Sequence, residues 1–319
     1  VGQPLIDDLA SWHADWGGRR IAVLGLGERG FSVADTLREL GAEVLVVAEE
    51  ASEEHRELLD VIGADLGILA GADAPDVVTA FAPELAIRAA GSRLAGPAGL
   101  PEWTDLELAW RVRDKTRGTA EWLCVAGAEA DRIAGLAALM LVAAGIRAAP
   151  AGGEGVPAID AVRDPTGFDV LVVAATVDDL GGPSRRAPLA TACVGDGAGL
   201  GAVHADARLA CVYRSDDAAT VRLVEDAEVQ EGCRAIGVTL GVPGPSELGI
   251  VDDLLVDRAF LADRRTSALE LATLDDASVA GLDTARDLVA VLAAAALARS
   301  AGAPPAAVRE AVRAWPTRL

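Results

Sequence analysis

The apolar positions of the chain fall into short continuous runs separated by helix-period stretches, the pattern of strands buried in a parallel sheet beneath helices. Arg20–Leu24 is the first such run, followed by a glycine turn, Gly25-Leu26-Gly27-Glu28-Arg29-Gly30, and a helix over Phe31–Leu40 that stops at Gly41. Strands are predicted at Glu43–Val47, Leu66–Leu69 and Leu85–Ile87, with a helix at His55–Ile62. The charged stretch Arg111–Thr119 reads as a linker, after which the pattern restarts with a strand at Trp122–Val125, a turn at Gly127 and a helix at Ile133–Ala143. Further strands are predicted at Val170–Val173, Thr191–Val194, Leu209–Tyr213, Ala235–Thr239 and Leu254–Val256, then helices at Arg286–Ser300 and Pro305–Trp315. Strands alternating with helices define an α/β protein with doubly wound parallel sheets, divided here into domains 1–116 and 117–319.

Ile133–Ala149 and Leu288–Ala303 are apolar enough to suggest membrane spans, but both fall short of the ~20 apolar residues that cross a bilayer and read as buried helices. Aromatic residues make up 3% of a chain that is 51% hydrophobic, so the core is expected to be Ala, Val and Leu. The net charge of −21 repels phosphate backbones and anionic lipid, which excludes nucleic-acid and membrane partners. Cys124, Cys193, Cys211 and Cys233 form no C-x-x-C pair and are expected to pack in a reducing cytoplasm, no leader being read at the start of the sequence. His13, His55 and His204 are scattered, and no metal site is expected. Trp103, Trp110 and Trp122 gather around the domain junction, where packing is expected, with a protein-partner surface as the alternative.

Two turns carry candidate chemistry. G-x-G-x-x-G at Gly25, Gly27 and Gly30, between strand and helix, brings backbone N–H groups and a helix N-terminus within reach of a phosphate. Glu49, at the end of the second strand, stands about where a Rossmann domain places its ribose-binding carboxylate. Alone, these residues leave an NAD-type dinucleotide, another nucleotide or a purely structural turn open. The second turn, Ala126-Gly127-Ala128-Glu129-Ala130-Asp131-Arg132-Ile133, has the strand–loop–helix position of a P-loop. A P-loop needs a lysine for the β/γ-phosphates and a hydroxyl for magnesium. This turn has Glu129, Asp131 and Arg132 instead, and the sole lysine of the chain, Lys115, lies in the linker.

Several segments are similar to the Mur ligase family in its actinobacterial, D-glutamate-adding form. They are the glycine turn with Phe31–Leu37, Trp103-Thr104-Asp105-Leu106-Glu107-Leu108-Ala109-Trp110-Arg111, Glu231–Gly237 and Leu255–Phe260. The resemblance implies a Rossmann-like N-terminal domain that holds the uridine diphosphate end of a sugar nucleotide, then a central domain resembling P-loop NTPases. It places the anion site at Gly25, Gly27, Arg29, Gly30 and Glu49, with Arg88 and Arg93 beside the loop through Gly91. It also places the family's phosphate-binding lysine on Asp131, beside Gly127, Glu129 and Arg132. The family's magnesium-binding glutamate falls in Ala174–Leu180, its carbamylated lysine in a shortened segment after Val194, and its third domain beyond Leu319. Each charge unit exchanged near a phosphate is worth roughly 4 kcal/mol at about 4 Å and an effective dielectric near 20. The expectation is therefore a non-catalytic homologue, a pseudoenzyme in peptidoglycan and cell-wall precursor synthesis. It would hold no metal, use neither ATP nor magnesium, take a UDP-sugar nucleotide in its first domain and act through a protein partner of unknown identity. The alternatives are a working ATP-dependent D-glutamate ligase, either with unusual ATP chemistry or completed by another subunit, and an NAD-type nucleotide-binding protein.

Overall fold

The computed structural model describes residues 8–69, 74–116, 118–180, 186–195 and 198–316. They separate into two compact units: the described residues up to Thr119 together with Pro157–Gly167, and Ala120–Val156 with the described residues from Phe168 onward.

In the first unit, β1 (Arg20–Leu24), β2 (Glu43–Ala48), β3 (Asp65–Ile68), β4 (Leu85–Arg88) and β5 (Glu102–Thr104) form a parallel sheet in the order β3-β2-β1-β4-β5. Helices α1 (Glu28–Glu39), α2 (Glu53–Ile62), α3 (Ala74–Phe81) and α4 (Asp105–Arg111) connect or follow these strands. β1 is buried from Ile21 to Leu24, as its unbroken apolar run requires. Ser52 caps α2 by accepting the His55 N–H at 3.2 Å, and Thr104 caps α4 by accepting from Glu107 N at 3.1 Å. Trp103 lies inside this unit, edge-on to Trp16 with ring centres 6.4 Å apart, and the Arg111 guanidinium sits 4.0 Å over its ring. Trp110 is covered by Arg113, and Trp122 is buried in the second unit.

The second unit holds β6 (Glu121–Ala126), β7 (Ala148–Gly152), β8 (Val170–Ala175), β9 (Ala190–Cys193), β10 (Ala210–Arg214), β11 (Arg234–Val238), β12 (Glu247–Val251), β13 (Leu254–Asp257) and β14 (Leu269–Thr273). Their order is β14-β13-β12-β11-β10-β9-β6-β8-β7. The helices are α5 (Ala130–Ala143), α6 (Ala158–Arg163, grouped with the first unit), α7 (Val177–Leu180), α8 (Ala218–Glu225), α9 (Leu274–Val279), α10 (Ala285–Ser300) and α11 (Pro305–Ala314). The expectation of wholly parallel sheets is corrected here: β12–β13 and β13–β14 pair antiparallel, with a register shift between Leu255 and Val256. Asp252, at positive φ, makes the two-residue reversal between β12 and β13 that a hairpin needs. Capping boxes at Thr273/Asp276 and Thr284/Asp287 start α9 and α10. The core is the Ala-rich α10, buried from Val289 to Ala298 and packed with α5, α11 and strands β9–β12. Among the described residues no helix is long and apolar enough to cross a membrane.

Candidate functional site

The first candidate site lies at the carboxyl ends of β1, β2 and β4, where the strand order reverses direction across β1 and β4. Open α/β sheets bind ligands at such a switch point. A cavity of about 960 Å³ opens there, walled by the β1–α1 turn, by Ala48–Ser52 with His55, and by Ala90–Leu94. The turn is shaped by close approach. A β-carbon on Gly30 would stand 2.2 Å from the Gly25 carbonyl oxygen, so α1 can start this near the strand only with glycine at that position. Gly25 N–H donates to Val47 O at 2.8 Å, which ties the turn to β2.

Of the residues the sequence singles out, Gly25, Gly27, Glu49 and Arg93 line this cavity. Gly30 supports the turn from behind. Arg29 is paired with the buried Asp105 at 3.0 Å, and Arg88 with Glu102 at 2.7 Å across β4 and β5; neither is among the lining residues. Sequence reasoning missed Ser52, His55 and Ser92. Ser52 Oγ lies 2.9 Å from His55 Nδ1, so the capping serine also orients an imidazole on the cavity wall. The helix-capping signature of Ser52 ahead of Glu53 and Glu54 could have marked this wall. The lining therefore combines backbone N–H groups, an exposed carboxylate, a hydroxyl, an imidazole and an exposed guanidinium. That set can hold a ribose hydroxyl on Glu49 and an anion on Arg93 and the turn.

The second candidate site is the turn between β6 and α5. Asp131 Oδ1 accepts the Glu154 N–H at 2.8 Å and fills the space where a side chain on Gly153 would stand. Glu129 faces Arg132 at 3.4 Å and pairs with Arg286, and Arg132 pairs with Asp287 at the start of α10. Asp287 also accepts from Thr284 Oγ1 at 2.5 Å. Gly127, Glu129, Asp131 and Arg132 thus stand in one turn whose charged side chains are tied to one another, to Glu154 N–H and to the start of α10. Lys115 pairs with Glu39 in the first unit at 2.6 Å. At the end of β8, Thr176 Oγ1 donates to Asp179 at 2.8 Å. Taken by themselves, these side chains do not fit a nucleoside triphosphate with its magnesium. They offer neither a lysine nor a hydroxyl within the Gly127 turn; Glu129 is matched by Arg132 and Arg286, and Asp131 by the Glu154 backbone N–H. Among the described residues no three His, Cys, Asp or Glu side chains are grouped to hold a metal ion.

No family model matches the chain. Solved structures do. A UDP-N-acetylmuramate:L-alanyl-γ-D-glutamyl-meso-diaminopimelate ligase from Neisseria meningitides aligns with a TM-score of 0.57 over 95% of this chain and 100% of that one, at 15% identity. A murein peptide ligase from Psychrobacter arcticus aligns at 0.57 over 93% and 68%, at 14% identity. The fold is that of the Mur ligases. Curated relatives narrow this further. The UDP-N-acetylmuramoylalanine–D-glutamate ligase of Leifsonia xyli is 47% identical over 96% of this chain and 66% of its own length, and that of Streptomyces avermitilis is 39% identical over 94% and 68%. The chain belongs to the Mur ligase family, among relatives named UDP-N-acetylmuramoylalanine–D-glutamate ligase, and spans about two thirds of their length.

These relatives correct the expectation of a non-catalytic homologue. Proteins this similar, from Leifsonia, from two Streptomyces species and from Tropheryma, all carry the name of a ligase. The expected loss of ATP and magnesium chemistry is corrected by the same finding. The substitutions at the β6–α5 turn describe that turn, and the inference from it to an inactive protein does not hold against 47% identity to a ligase.

Proposed function

We propose that this chain supplies the nucleotide-sugar-binding and central domains of an enzyme that joins D-glutamate to UDP-N-acetylmuramoylalanine, in peptidoglycan precursor synthesis. The observation that carries the reading is the 47% identity to a ligase of that name over 96% of the chain. The first-unit cavity supports it. Its size of about 960 Å³ suits a sugar nucleotide, and its lining has the two polar features a uridine diphosphate calls for. Glu49 takes the ribose hydroxyls. Arg93 and the Gly25–Gly27 turn face the diphosphate, while Arg29 and Arg88, through Asp105 and Glu102, brace the turn and the loop after β4.

The experiment is a ligase assay that follows incorporation of labelled D-glutamate into UDP-N-acetylmuramoylalanine. It is run with the chain alone and with the remaining third of the Leifsonia ligase added in trans. Product in either arm supports the proposal. No product in both, with no change in melting temperature on adding millimolar UDP-N-acetylmuramoylalanine, defeats it. Binding of NADH in place of the sugar nucleotide would assign the cavity to a dinucleotide.

A further inference from the structure

In the second unit, sheet register sets Cys124 on β6 beside Thr191 on β9, and Thr191 beside Cys211 on β10. In-register neighbours of a parallel sheet project to the same face. Thr191 Oγ1 lies 2.7 Å from Nδ1 of the wholly buried His204 and also hydrogen-bonds the Cys211 thiol. Beyond Cys211 the chain of contacts continues to Cys233, whose Sγ is 3.7 Å from Cys211 Sγ. Cys211 is buried. Cys233 is half-buried, at the end of a turn closed by Cys233 N–H donating to Gln230 O at 3.0 Å, with exposed Glu231 and Gly232 on the solvent side. Two thiols, one protected and one reachable from solvent, therefore stand in sulfur–sulfur contact although 22 residues separate them.

We propose that Cys211 and Cys233 form a reversible dithiol–disulfide pair, oxidised by a peroxide, in which Cys233 reacts first and Cys211 resolves the product. The order follows from access and from the hydrogen bond. The hydrogen bond between the two sulfurs holds the Cys233 thiol below its ordinary range, and that bond, with burial, pushes the Cys211 thiol up. The Cys233 thiolate attacks one oxygen of hydrogen peroxide. The O–O bond breaks, a sulfenic acid forms and hydroxide leaves, taking up the proton that Cys233 had released to give water. Cys211 sulfur then attacks the Cys233 sulfenic sulfur. The S–S bond forms, the S–O bond breaks, and the departing hydroxide leaves as a second water with the Cys211 proton. Two thiols lose two electrons and one peroxide becomes two waters. Cys124 is pushed up to about 11 by desolvation, and Cys193 is wholly buried with its thiol donating to Gly195 O, so neither competes. The pair does not depend on the ligase reading.

The test treats the native full chain with one equivalent of hydrogen peroxide, alkylates with N-ethylmaleimide and maps peptides by mass without reduction. The expected result is a linked Cys211–Cys233 peptide that dithiothreitol reverses, with Cys124 and Cys193 still alkylated after unfolding. In Cys211→Ala, dimedone should trap a sulfenic acid on Cys233; in Cys233→Ser, Cys211 should stay a thiol. If Cys211→Ala fails to fold, early time points on the unmodified chain read the same dimedone adduct. Oxidation appearing first at Cys124, Cys193 or Cys211, or Cys233 remaining alkylatable throughout, overturns the proposal.

Discussion

Arg132, in the first turn of α5, forms an ion pair with Asp287, the residue that closes the capping box of α10. One carboxylate thus starts one helix and ties it to another, which holds the β6–α5 turn against the core helix of the second unit. Asp287 is largely buried, and its side chain accepts from Thr284 N–H and Oγ1 as well.

Removing the cap separates these roles. Thr284→Ala should lower the unfolding free energy by about 1 kcal/mol, the usual loss for an N-cap hydroxyl. Asp287→Ala should cost more, about 2–3 kcal/mol, because it also removes the ion pair that ties Arg132 to α10 and leaves that guanidinium only Glu129. Urea denaturation reads both. Equal losses would mean that the ion pair adds nothing to the cap.

Gly30→Ala should destabilise the first unit by on the order of 2 kcal/mol, since the new β-carbon meets the Gly25 carbonyl at 2.2 Å and both sides of the contact are backbone-linked. The same substitution at Gly155, where the nearest atom would be 3.4 Å away, should be tolerated far better. Thermal melts of the two variants provide the comparison.

Arg93→Ala should weaken binding of UDP-N-acetylmuramoylalanine by roughly tenfold, the loss of one exposed charge-assisted contact to phosphate. Glu49→Gln should weaken it less and leave inorganic pyrophosphate binding unchanged. Titration calorimetry distinguishes the two. Arg29→Ala, away from the cavity wall, should act on stability before affinity.

His204 gives the protein an acid-side dependence. Burial pushes its pKa down to about 4 from the usual 6.5, so between these values the unfolded chain binds a proton that the folded chain does not. Stability therefore rises with pH across this window and falls as the pH drops from about 6.5 towards 4. At 1.36 kcal/mol per unit the full effect is about 3 kcal/mol. His204→Gln, which carries no charge at either pH, should flatten the profile of unfolding free energy against pH. A profile that keeps its slope in the variant would assign the effect to the carboxylates.

The glycine turn, β1 and α1 were legible because the turn's spacing and the apolar run of Ile21–Leu24 admit one reading. The hairpin end of the large sheet was not. In β12 Gly249 interrupts the apolar run after Glu247-Leu248, and in β14 Glu270 interrupts it, so neither shows the continuous run that marks β1. β7 reads Ala-Ala-Pro-Ala-Gly, without a β-branched residue; its place at the sheet edge tolerates the proline. At the site, distance beyond the glycine turn marks Glu49 and the resemblance of the loop through Gly91 marks Arg93, and both line the cavity. For His55 the capping signature at Ser52 marks a helix start, but only the fold carries that start to the cavity. The contacts of Thr191 with His204 and of Cys211 with Cys233 were equally hidden, since sheet register and a loop, not sequence spacing, create them. The largest error was functional. Substitutions within one loop were read as the fate of the whole protein, although identity along the rest of the chain weighs more.

The alanine run of α10 sets a mechanical tolerance for the second unit. With only methyl groups at Ala290, Ala293, Ala294, Ala295 and Ala296, strands and neighbouring helices rest against this helix almost at backbone distance. At these alanine positions there is no side chain to rotate away and absorb a displacement, and the larger Val289, Val291, Leu292 and Leu297 of the same helix are themselves buried. The segment that looks most like filler in the sequence thus acts as a spacer of fixed thickness. The alignment of β9, β10 and β11, and with it the sulfur contact and the histidine held against Thr191, rests on a helix that presents only methyl groups at these five positions.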